Sequence, residues 1–230
     1  MGSSSRIAGE EKNALLFTER LIPFLDNAIK DIRLAFRLVV EARDQALEIV
    51  KVWKTPIRSP ADAVLARLKA RDETVKFNKL LSELIKTLED TDHAIQIMNK
   101  CINPLKAIEA YTKRLAQELS HFNSRLVQGQ RLSEAEILSL VRRIIFGIES
   151  NIRKCESIKE LLTIFLRKIK FVPQEPAAFH LELAEEVAAE LGQIQTQFAT
   201  LHQSMEAIMA EVKRVAGLET TVLKLGFRKG

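Results

Sequence analysis

The fold class is decided by residues 21–53, which read LIPFLDNAIKDIRLAFRLVVEARDQALEIVKVW. Apolar residues recur in this stretch at alternating steps of three and four, so they line one face of an α-helix. A second row, at steps of seven, widens that face to three positions per heptad, which is typical of a helix inside a bundle. The first row is Ile22, Leu25, Ile29, Ile32, Phe36, Val39, Arg43, Ala46, Val50 and Trp53, and the second is Leu21, Ala28, Ala35, Ala42 and Ile49.

Three further stretches show the same rhythm, and each predicts another long helix: residues 77–126, 137–169 and 187–215. Within 137–169, Asn151 is the single polar member of the apolar series. A buried Asn can fix the register or the number of helices in a bundle, whereas an Asn at a wet edge has no such role. The sequence leaves both alternatives open.

Prolines predict where the helices end. Pro56 and Pro60 disfavour helix in the residues before them, so the first helix should stop there. Ser59 stands where an N-cap is needed, with Pro60 as the first residue of the second helix and Asp62 in its first turn. Pro104 lies inside the second stretch, where two successive three-residue steps interrupt the heptads. This position predicts a kink or a break.

These patterns predict an all-α protein. We expect an elongated antiparallel helical bundle with coiled-coil-type heptad packing and four long helices, the second of them kinked or broken near Pro104. Residues 1–9 are expected to be a disordered N-terminal segment or a vector-derived remnant, residues 10–222 a single helical bundle domain, and residues 223–230 a basic C-terminal tail. The 8 Gly and 6 Pro among 230 residues provide too few turns for a β-sandwich or barrel.

Composition excludes several classes of protein. With 47% hydrophobic and 28% charged residues, the chain is too apolar to be disordered. No run of apolar residues predicts a membrane-spanning helix, and the N-terminus lacks the apolar centre of a secretory signal. We therefore expect a cytoplasmic protein, with peripheral attachment to a membrane as the alternative.

Cys101 and Cys155 fall on apolar faces and are expected to be buried thiols.

The sequence contains no motif for catalysis, neither a Gly-x-Ser-x-Gly elbow nor a phosphate loop nor a dinucleotide fingerprint. Glu118 with His121, and Asp90 with His93, have spacings like those of di-metal bundles, but both pairs lie on the same predicted helix. We predict a protein that is not an enzyme and has no cofactor, metal site or small-molecule substrate. One Trp and one Tyr leave little for base stacking, so nucleic acid is not an expected partner.

Two cationic clusters stand at predicted helix junctions, in a chain of net charge +5. If the second helix is continuous, an up-down-up-down topology places both at one end of the bundle, where they could bind an anionic membrane or an acidic partner. Alternatively, the cations only complement the C-terminal ends of helix dipoles, and glutamates early in the fourth helix neutralise them. The candidate tip consists of Lys51, Trp53, Lys54, Arg58, Arg167, Lys168, Lys170 and Phe171.

The fourth helix carries no charged residue from Leu191 through Met205. A helix without charge anywhere on its circumference is not expected to be fully solvated, so this part is either central in the bundle or covered by a second subunit. The candidate helix–helix or subunit interface consists of Leu191, Gly192, Gln195, Phe198, Ala199 and His202.

Two functions follow as expectations. The first is a non-enzymatic scaffold that mediates protein–protein interaction and assembly, with itself or another helical protein as partner, through apolar faces and the uncharged part of the fourth helix. The second is a peripheral membrane protein that binds or remodels anionic lipid through the basic tip, including the soluble form of a helical membrane-active protein. Salt-sensitive binding to anionic vesicles would distinguish the second from the first.

Overall fold

The computed structural model describes three stretches of the chain: residues 3–122, 132–169 and 179–226. These stretches form four helices and contain no strand, which confirms the prediction of an all-α protein with four helices. The helices are α1 (Ser3–Lys54), α2 (Pro60–Phe122), α3 (Leu132–Ile169) and α4 (Leu181–Gly226).

The helices reach further toward both ends of the chain than the sequence suggested. α1 begins at Ser3, inside the segment 1–9 that was expected to lie outside the bundle. α4 ends at Gly226, inside the expected tail at residues 223–230. A helix end is not a domain boundary, so the division of the chain into residues 1–9, 10–222 and 223–230 stays a prediction.

The start of α2 is capped as predicted. The backbone N–H of Asp62 donates to Ser59 Oγ over 3.1 Å, and Asp62 Oδ2 accepts a hydrogen bond of 3.1 Å from the backbone N–H of Arg58. The first of these bonds pairs an N–H that the helix itself cannot satisfy. α2 then continues as one helix through Pro104, so the structure shows no break at this proline.

The start of α4 uses a histidine instead. The backbone N–H of Leu183 donates to His180 Nδ1 over 3.2 Å, and the N–H of Ala184 donates to the His180 carbonyl over 3.1 Å. His180 therefore occupies the N-cap. Sequence reasoning missed it, because histidine is not among the residues preferred at that position.

The chain divides into two compact units, and each takes parts of all four helices. Each unit therefore has its own four-helix arrangement. Unit 1 is drawn from Met1–Ile29, Ile95–Arg153 and Gln203–Gly230, and unit 2 from Lys30–Ala94 and Lys154–His202.

In unit 2, side-chain contacts set the direction of α1 against its neighbours. Residue numbers rise along α1 as they fall along α2 or α4, so α1 is antiparallel to both. The contacts between α1 and α4 are Arg33 to His202 (3.2 Å), Arg43 to Gln195 (3.0 Å) and Lys54 to Glu185 (2.6 Å). Those between α1 and α2 are Asp31 to His93 (2.7 Å) and Gln45 to Glu73 (2.5 Å).

In unit 1, α3 is related in the same way to α2 and to α4. Its contacts with each neighbour again run in opposite order along the two helices. Those with α2 are Arg142 to Glu109 (3.0 Å) and Glu149 to Lys106 (3.6 Å). Those with α4 are Arg143 to Glu211 (3.5 Å) and the approach of Gly147 to Ile208.

The predicted apolar stripes of α3 and α4 form the core. Every member of both stripes whose side chain the structure describes is buried, from Val141 to Ile169 on α3 and from Val187 to Val215 on α4. Large residues such as Phe165 and Phe198 are completely enclosed. Periodicity alone therefore located the inner faces of these two helices.

The inner face of α1 includes the second predicted row and part of the first. The second row, at steps of seven, is at most 2% exposed throughout, and we call it the deep row. In the first row Ile32, Val39 and Ala46 are 0% exposed, whereas Ile22 and Phe36 are only half-buried. Three members of the deep row are alanines, which contribute little to an apolar pattern but allow close packing against other helices. The deep row is Leu21, Ala28, Ala35, Ala42 and Ile49.

α2 shows a similar difference. Leu88, Ile95 and Ile102, which belong to the apolar rhythm of residues 77–126, are half-buried. Smaller side chains one position earlier are fully enclosed in their place. The inner face of this helix is again lined partly by small residues, which are Thr87, Ala94 and Cys101.

Candidate interaction surfaces

Two lysines of the predicted cationic tip form salt bridges with the beginning of α4. Lys54 Nζ lies 2.6 Å from Glu185 Oε1, and Lys168 Nζ contacts both Glu186 and Glu190, the latter at 2.7 Å. Hydrogen bonds to these two glutamates raise the pKa of Lys168. In unit 2, the glutamates of α4 thus reduce the local positive charge, as the alternative interpretation of the tip predicted.

The remaining members of the tip are placed in different ways. Lys51 is 75% exposed and lies 3.4 Å from Glu48 on its own helix. Arg58 and Arg167 are exposed, and their guanidinium groups form no ion pair with the described residues. Exposed pairs such as Lys51 with Glu48 contribute little to stability. Two further members of the predicted tip, Lys170 and Phe171, lie outside the described residues.

Trp53 is tied to the inside of unit 2. Its indole Nε1–H donates to the carbonyl of Phe179 over 3.0 Å. Phe179 is fully buried, and its ring lies 5.3 Å from that of Phe77, centroid to centroid, at an interplanar angle of 33°. This geometry suits a favourable aromatic pair. Sequence reasoning missed Phe179, because it stands alone just before α4, where no periodicity marks it.

The predicted uncharged surface of α4 has three kinds of position. Leu191 and Phe198 are fully buried in the core of unit 2. Gly192, Gln195 and His202 face α1: an added Cβ on Gly192 would lie 3.3 Å from Arg43 Nε, Gln195 accepts from Arg43, and His202 accepts from Arg33. Ala199 is exposed. Whether another chain covers any of these residues stays a prediction.

The outward side of this part of α4 is polar and uncharged. Gln193, Thr196, Gln197 and Thr200 are all exposed. The hydroxyls of Thr196 and Thr200 donate to backbone carbonyls four residues earlier, at 2.9 and 3.0 Å. The glutamine amides are therefore the principal outward-facing hydrogen-bonding groups of this surface.

Exposed apolar side chains concentrate on the N-terminal part of α2, and sequence reasoning missed them. Among the side chains that the structure describes, eleven large apolar ones are exposed, and six of these fall within residues 57–85. A second apolar periodicity beside the first was the available signal. We call four of these residues the α2 row: Val64, Leu65, Leu68 and Val75, which are 59%, 55%, 51% and 62% exposed.

Asn151 lies in the interior of unit 1. It is 0% exposed, so the alternative of a wet edge is wrong. Neither atom of its side-chain amide has a hydrogen-bond partner among the residues that the structure describes. A buried amide without a partner costs about 1–3 kcal/mol. The side chains around it are apolar, and they are Leu25, Ile29, Met98, Ile148, Met205 and Ile208.

The groups that might carry chemistry are inert or dispersed. Burial raises the pKa of the Cys101 thiol to about 11 and that of Cys155 to about 12, so neither is a nucleophilic thiolate near neutral pH. Within the described stretches, no three His, Cys, Asp or Glu side chains are grouped so that they could hold a metal ion. None of the helices, over its described residues, is long and apolar enough to cross a bilayer.

Comparison with known proteins adds no family. No protein-family model matches this chain. None of the curated proteins matches it significantly.

Proposed function

We propose that this protein is a non-enzymatic scaffold, a helical bundle that binds itself or another helical protein and so mediates assembly. One observation supports the proposal above others. The first turns of α2 bury Ala70, Thr74 and Phe77 and at the same time expose Leu68 and Val75. A helix held in a core on one side presents its opposite side without further ordering, which favours binding.

Coiled-coil-type packing of the helices belongs to the same proposal. Buried positions recur at steps of three and four, as in Ile144, Ile148, Asn151, Cys155 and Ile158 of α3. That spacing is typical of side chains that interlock between helices lying lengthwise. A kink of α2 at Pro104 is proposed with it, since the ring removes one backbone N–H from the helix.

The scaffold function is tested by quantitative capture of partners with the whole chain. The variants Leu68→Glu and Thr196→Glu place a carboxylate on the α2 row and on the uncharged surface of α4, respectively. Ile164→Glu is the matched control, because Ile164 is 56% exposed but lies on α3. Circular dichroism confirms that each variant folds.

We expect this capture to recover partner proteins that bind the unchanged chain and the Ile164→Glu variant in stoichiometric amounts. Their binding should be lost with Leu68→Glu or with Thr196→Glu. Equal recovery by all four chains, or no stoichiometric partner for any of them, would contradict the proposal.

Attachment to an anionic membrane is the second candidate function. The observation that favours it is the exposure of Arg58 and Arg167 together with Ile57, which is 58% exposed. The salt bridges of Lys54 and Lys168 reduce the available charge, so this candidate predicts weak binding. Each basic residue near such a surface contributes about 1 kcal/mol.

Vesicle flotation tests this candidate at low and high salt, with phosphatidylserine in the vesicles. Binding should fall with salt and with the double variant Arg58→Glu/Arg167→Glu. The double variant Lys100→Glu/Lys213→Glu makes the same change of charge at exposed positions of unit 1 and should bind as the unchanged chain does. Binding that resists salt, or that both double variants lose equally, excludes a specific basic tip.

A further inference from the structure

The α2 row has positive charge along both of its edges. Successive residues of an α-helix are about 100° apart around the axis, so the apolar residues of the row fall within about 100° of the circumference. Arg67 and Arg71 lie roughly 60–100° from Leu68 on one side, and Lys69 and Lys76 lie roughly 80–100° from it on the other. All of these cations are exposed. The row is therefore an apolar surface between two cationic borders.

Little within unit 2 neutralises this charge. Lys76 Nζ lies 2.8 Å from Glu73 Oε1, and Glu73 is half-buried. Asp72 is the one exposed acid among residues 64–79, where five cations are exposed. Four of these cations form no salt bridge with the described residues, and they are Arg67, Lys69, Arg71 and Lys79. The surface therefore attracts an anionic partner and repels a second copy of itself.

The residue types of this surface fit a lipid membrane better than a protein or a nucleic-acid strand. Protein interfaces are depleted in lysine, and leucine and valine are under-represented among the residues that dominate their binding energy. Single-stranded nucleic acid is bound by aromatic side chains that stack on its bases, whereas the α2 row is aliphatic. A helix that lies on an anionic membrane combines apolar side chains on one face with Lys and Arg beside them. Residues 64–79 have this composition.

We infer that the α2 row docks on an anionic lipid surface, with α2 parallel to the membrane plane, Leu68 and Val75 between the headgroups, and the flanking Arg and Lys side chains against the lipid phosphates. Long basic side chains suit this position, because their aliphatic stems lie along apolar surface while their charged ends stay with the headgroups. The inference rests on the second candidate function, attachment to an anionic membrane, and names the surface that makes the contact. The uncharged surface of α4 then remains for protein partners.

The unpaired cations set the size of the expected effect. Residues 64–79 extend over about 24 Å of helix, so all four lie close to the docked surface. Each basic residue beside an anionic leaflet strengthens binding about fivefold, equivalent to about 1 kcal/mol. This attraction falls off within a Debye length, about 10 Å at 0.1 M salt. Binding should therefore require anionic lipid and weaken as the salt concentration rises.

Flotation of the whole chain with phosphatidylcholine vesicles, with or without phosphatidylserine, tests the electrostatic contact at low and high salt. Arg67→Gln/Arg71→Gln removes two unpaired cations and should weaken binding to phosphatidylserine vesicles about 25-fold. The matched control Lys100→Gln/Lys213→Gln removes two exposed cations from unit 1 and should bind as the unchanged chain does. Circular dichroism confirms that both double variants fold.

Tryptophan fluorescence tests the apolar contact. Leu68→Trp places an indole in the α2 row, and Ile164→Trp places one on α3, at a side chain that is 56% exposed. Brominated phosphatidylcholine in the vesicles quenches an indole that reaches the acyl chains. We expect quenching and a blue shift with Leu68→Trp and neither with Ile164→Trp. The unchanged chain gives the background from Trp53, which both variants retain.

Three results would overturn the inference: no flotation with phosphatidylserine at low salt, equal loss of binding in the two double variants, or no quenching with Leu68→Trp. The proposed functions fail separately. If Arg58→Glu/Arg167→Glu abolishes flotation and Arg67→Gln/Arg71→Gln does not weaken it, docking by α2 is wrong and attachment through the tip stands. If the chain never floats but captures a stoichiometric protein that Leu68→Glu no longer binds, the α2 row binds protein, and only the scaffold function stands.

Discussion

Unit 2 pairs its buried polar groups, whereas unit 1 leaves one of its own unpaired. Thr74, Thr87 and Thr91 of α2 are buried in unit 2, and each hydroxyl donates to a backbone carbonyl of its own helix. In unit 1 both amide atoms of Asn151 lack a hydrogen-bond partner within the described part of the chain. Gly147 of the same unit also approaches Ile208 so closely that an added Cβ would lie 2.8 Å from its Cδ1. Buried hydroxyls of α2 are therefore hydrogen-bonded in the core of unit 2, whereas the core of unit 1 holds an unbonded amide and a close approach between α3 and α4.

The largest effect should come from emptying part of the core of unit 2. Phe198→Ala removes a fully buried ring from unit 2 and should cost about 3–5 kcal/mol of unfolding free energy, as is usual for such a cavity. Phe146→Ala makes the same change in unit 1 at a side chain that is 68% exposed, and should cost less than about 0.5 kcal/mol. Urea unfolding of both variants measures the difference. Equal losses would show that these burial assignments are wrong.

Removing the unpaired amide should stabilise unit 1. Asn151→Leu replaces a buried group that costs roughly 1–3 kcal/mol by an apolar one, so we expect a gain of about 1–2 kcal/mol and a higher Tm. Thr91→Val is the matched change in unit 2, where the hydroxyl bonds to the Thr87 carbonyl at 2.6 Å. It should lose roughly 0.5–1.5 kcal/mol. A loss in both variants would mean that Asn151 is satisfied in solution.

Two glycine substitutions test how closely the helices approach each other in the two units. Gly147→Ala forces Ile208 to move, and overpacking at about 1–3 kcal/mol outweighs the roughly 1 kcal/mol by which alanine favours a helix. We expect a net loss near 1 kcal/mol, which Ile208→Ala in the same chain partly relieves. Gly192→Ala meets only the flexible Arg43 side chain, at 3.3 Å, and should gain about 0.5 kcal/mol. Thermal unfolding of the two variants measures these changes in stability. Stabilisation by both substitutions would contradict the close approach of Gly147 to Ile208 in unit 1.

The smallest predicted effect depends on pH and occurs in both units. Hydrogen bonds from Lys113 and then Arg142 lower the pKa of Glu109 in unit 1, and hydrogen bonds from Lys76 and then Gln45 lower that of Glu73 in unit 2. Each carboxylate therefore stabilises the folded chain above the unfolded pKa of about 4.3, and that contribution is lost as pH falls through the lower folded pKa.

The variants Glu109→Gln and Glu73→Gln test this pH dependence. Each should be less stable than the unchanged chain near pH 6, by about 0.2–1 kcal/mol, and the difference should shrink near pH 3. Urea unfolding at the two pH values measures it. A difference that grows on acidification would contradict the direction of both pKa shifts.

Periodicity predicted the parts of the fold that large apolar residues define. The stripes of α3 and α4 and the Ser59 cap were readable because they depend on spacing and on local chemistry. On α2, small residues such as Thr87 and Ala94 occupy the most enclosed positions, although a pattern of large apolar residues gives them little weight. The packing of Phe179 against Phe77 was not predicted, because it depends on which segments meet in space.

The candidate sites likewise divide into features that local sequence reveals and features that depend on contacts between helices. The sequence located the basic residues and the uncharged surface of α4, but not which of them the chain itself uses. Gln195 and His202 contact arginines of α1, and Leu191 is core. The α2 row escaped notice for a related reason, since burial of Phe77 rather than of Val75 is decided by the neighbouring helices.

The central claim is that neighbouring helices of one chain run antiparallel, with the inner stripes between them. Carbodiimide coupling of the native chain, mapped by mass spectrometry, tests this claim directly, because the reagent joins only lysines and carboxylates already in contact. We expect intrachain links from Lys54 to Glu185, from Lys159 to Asp92 and from Lys106 to Glu149, whose ion pairs span 2.6 to 3.6 Å. Links from Lys54 to the C-terminal half of α4, or links found only between isotopically distinct copies, would contradict it.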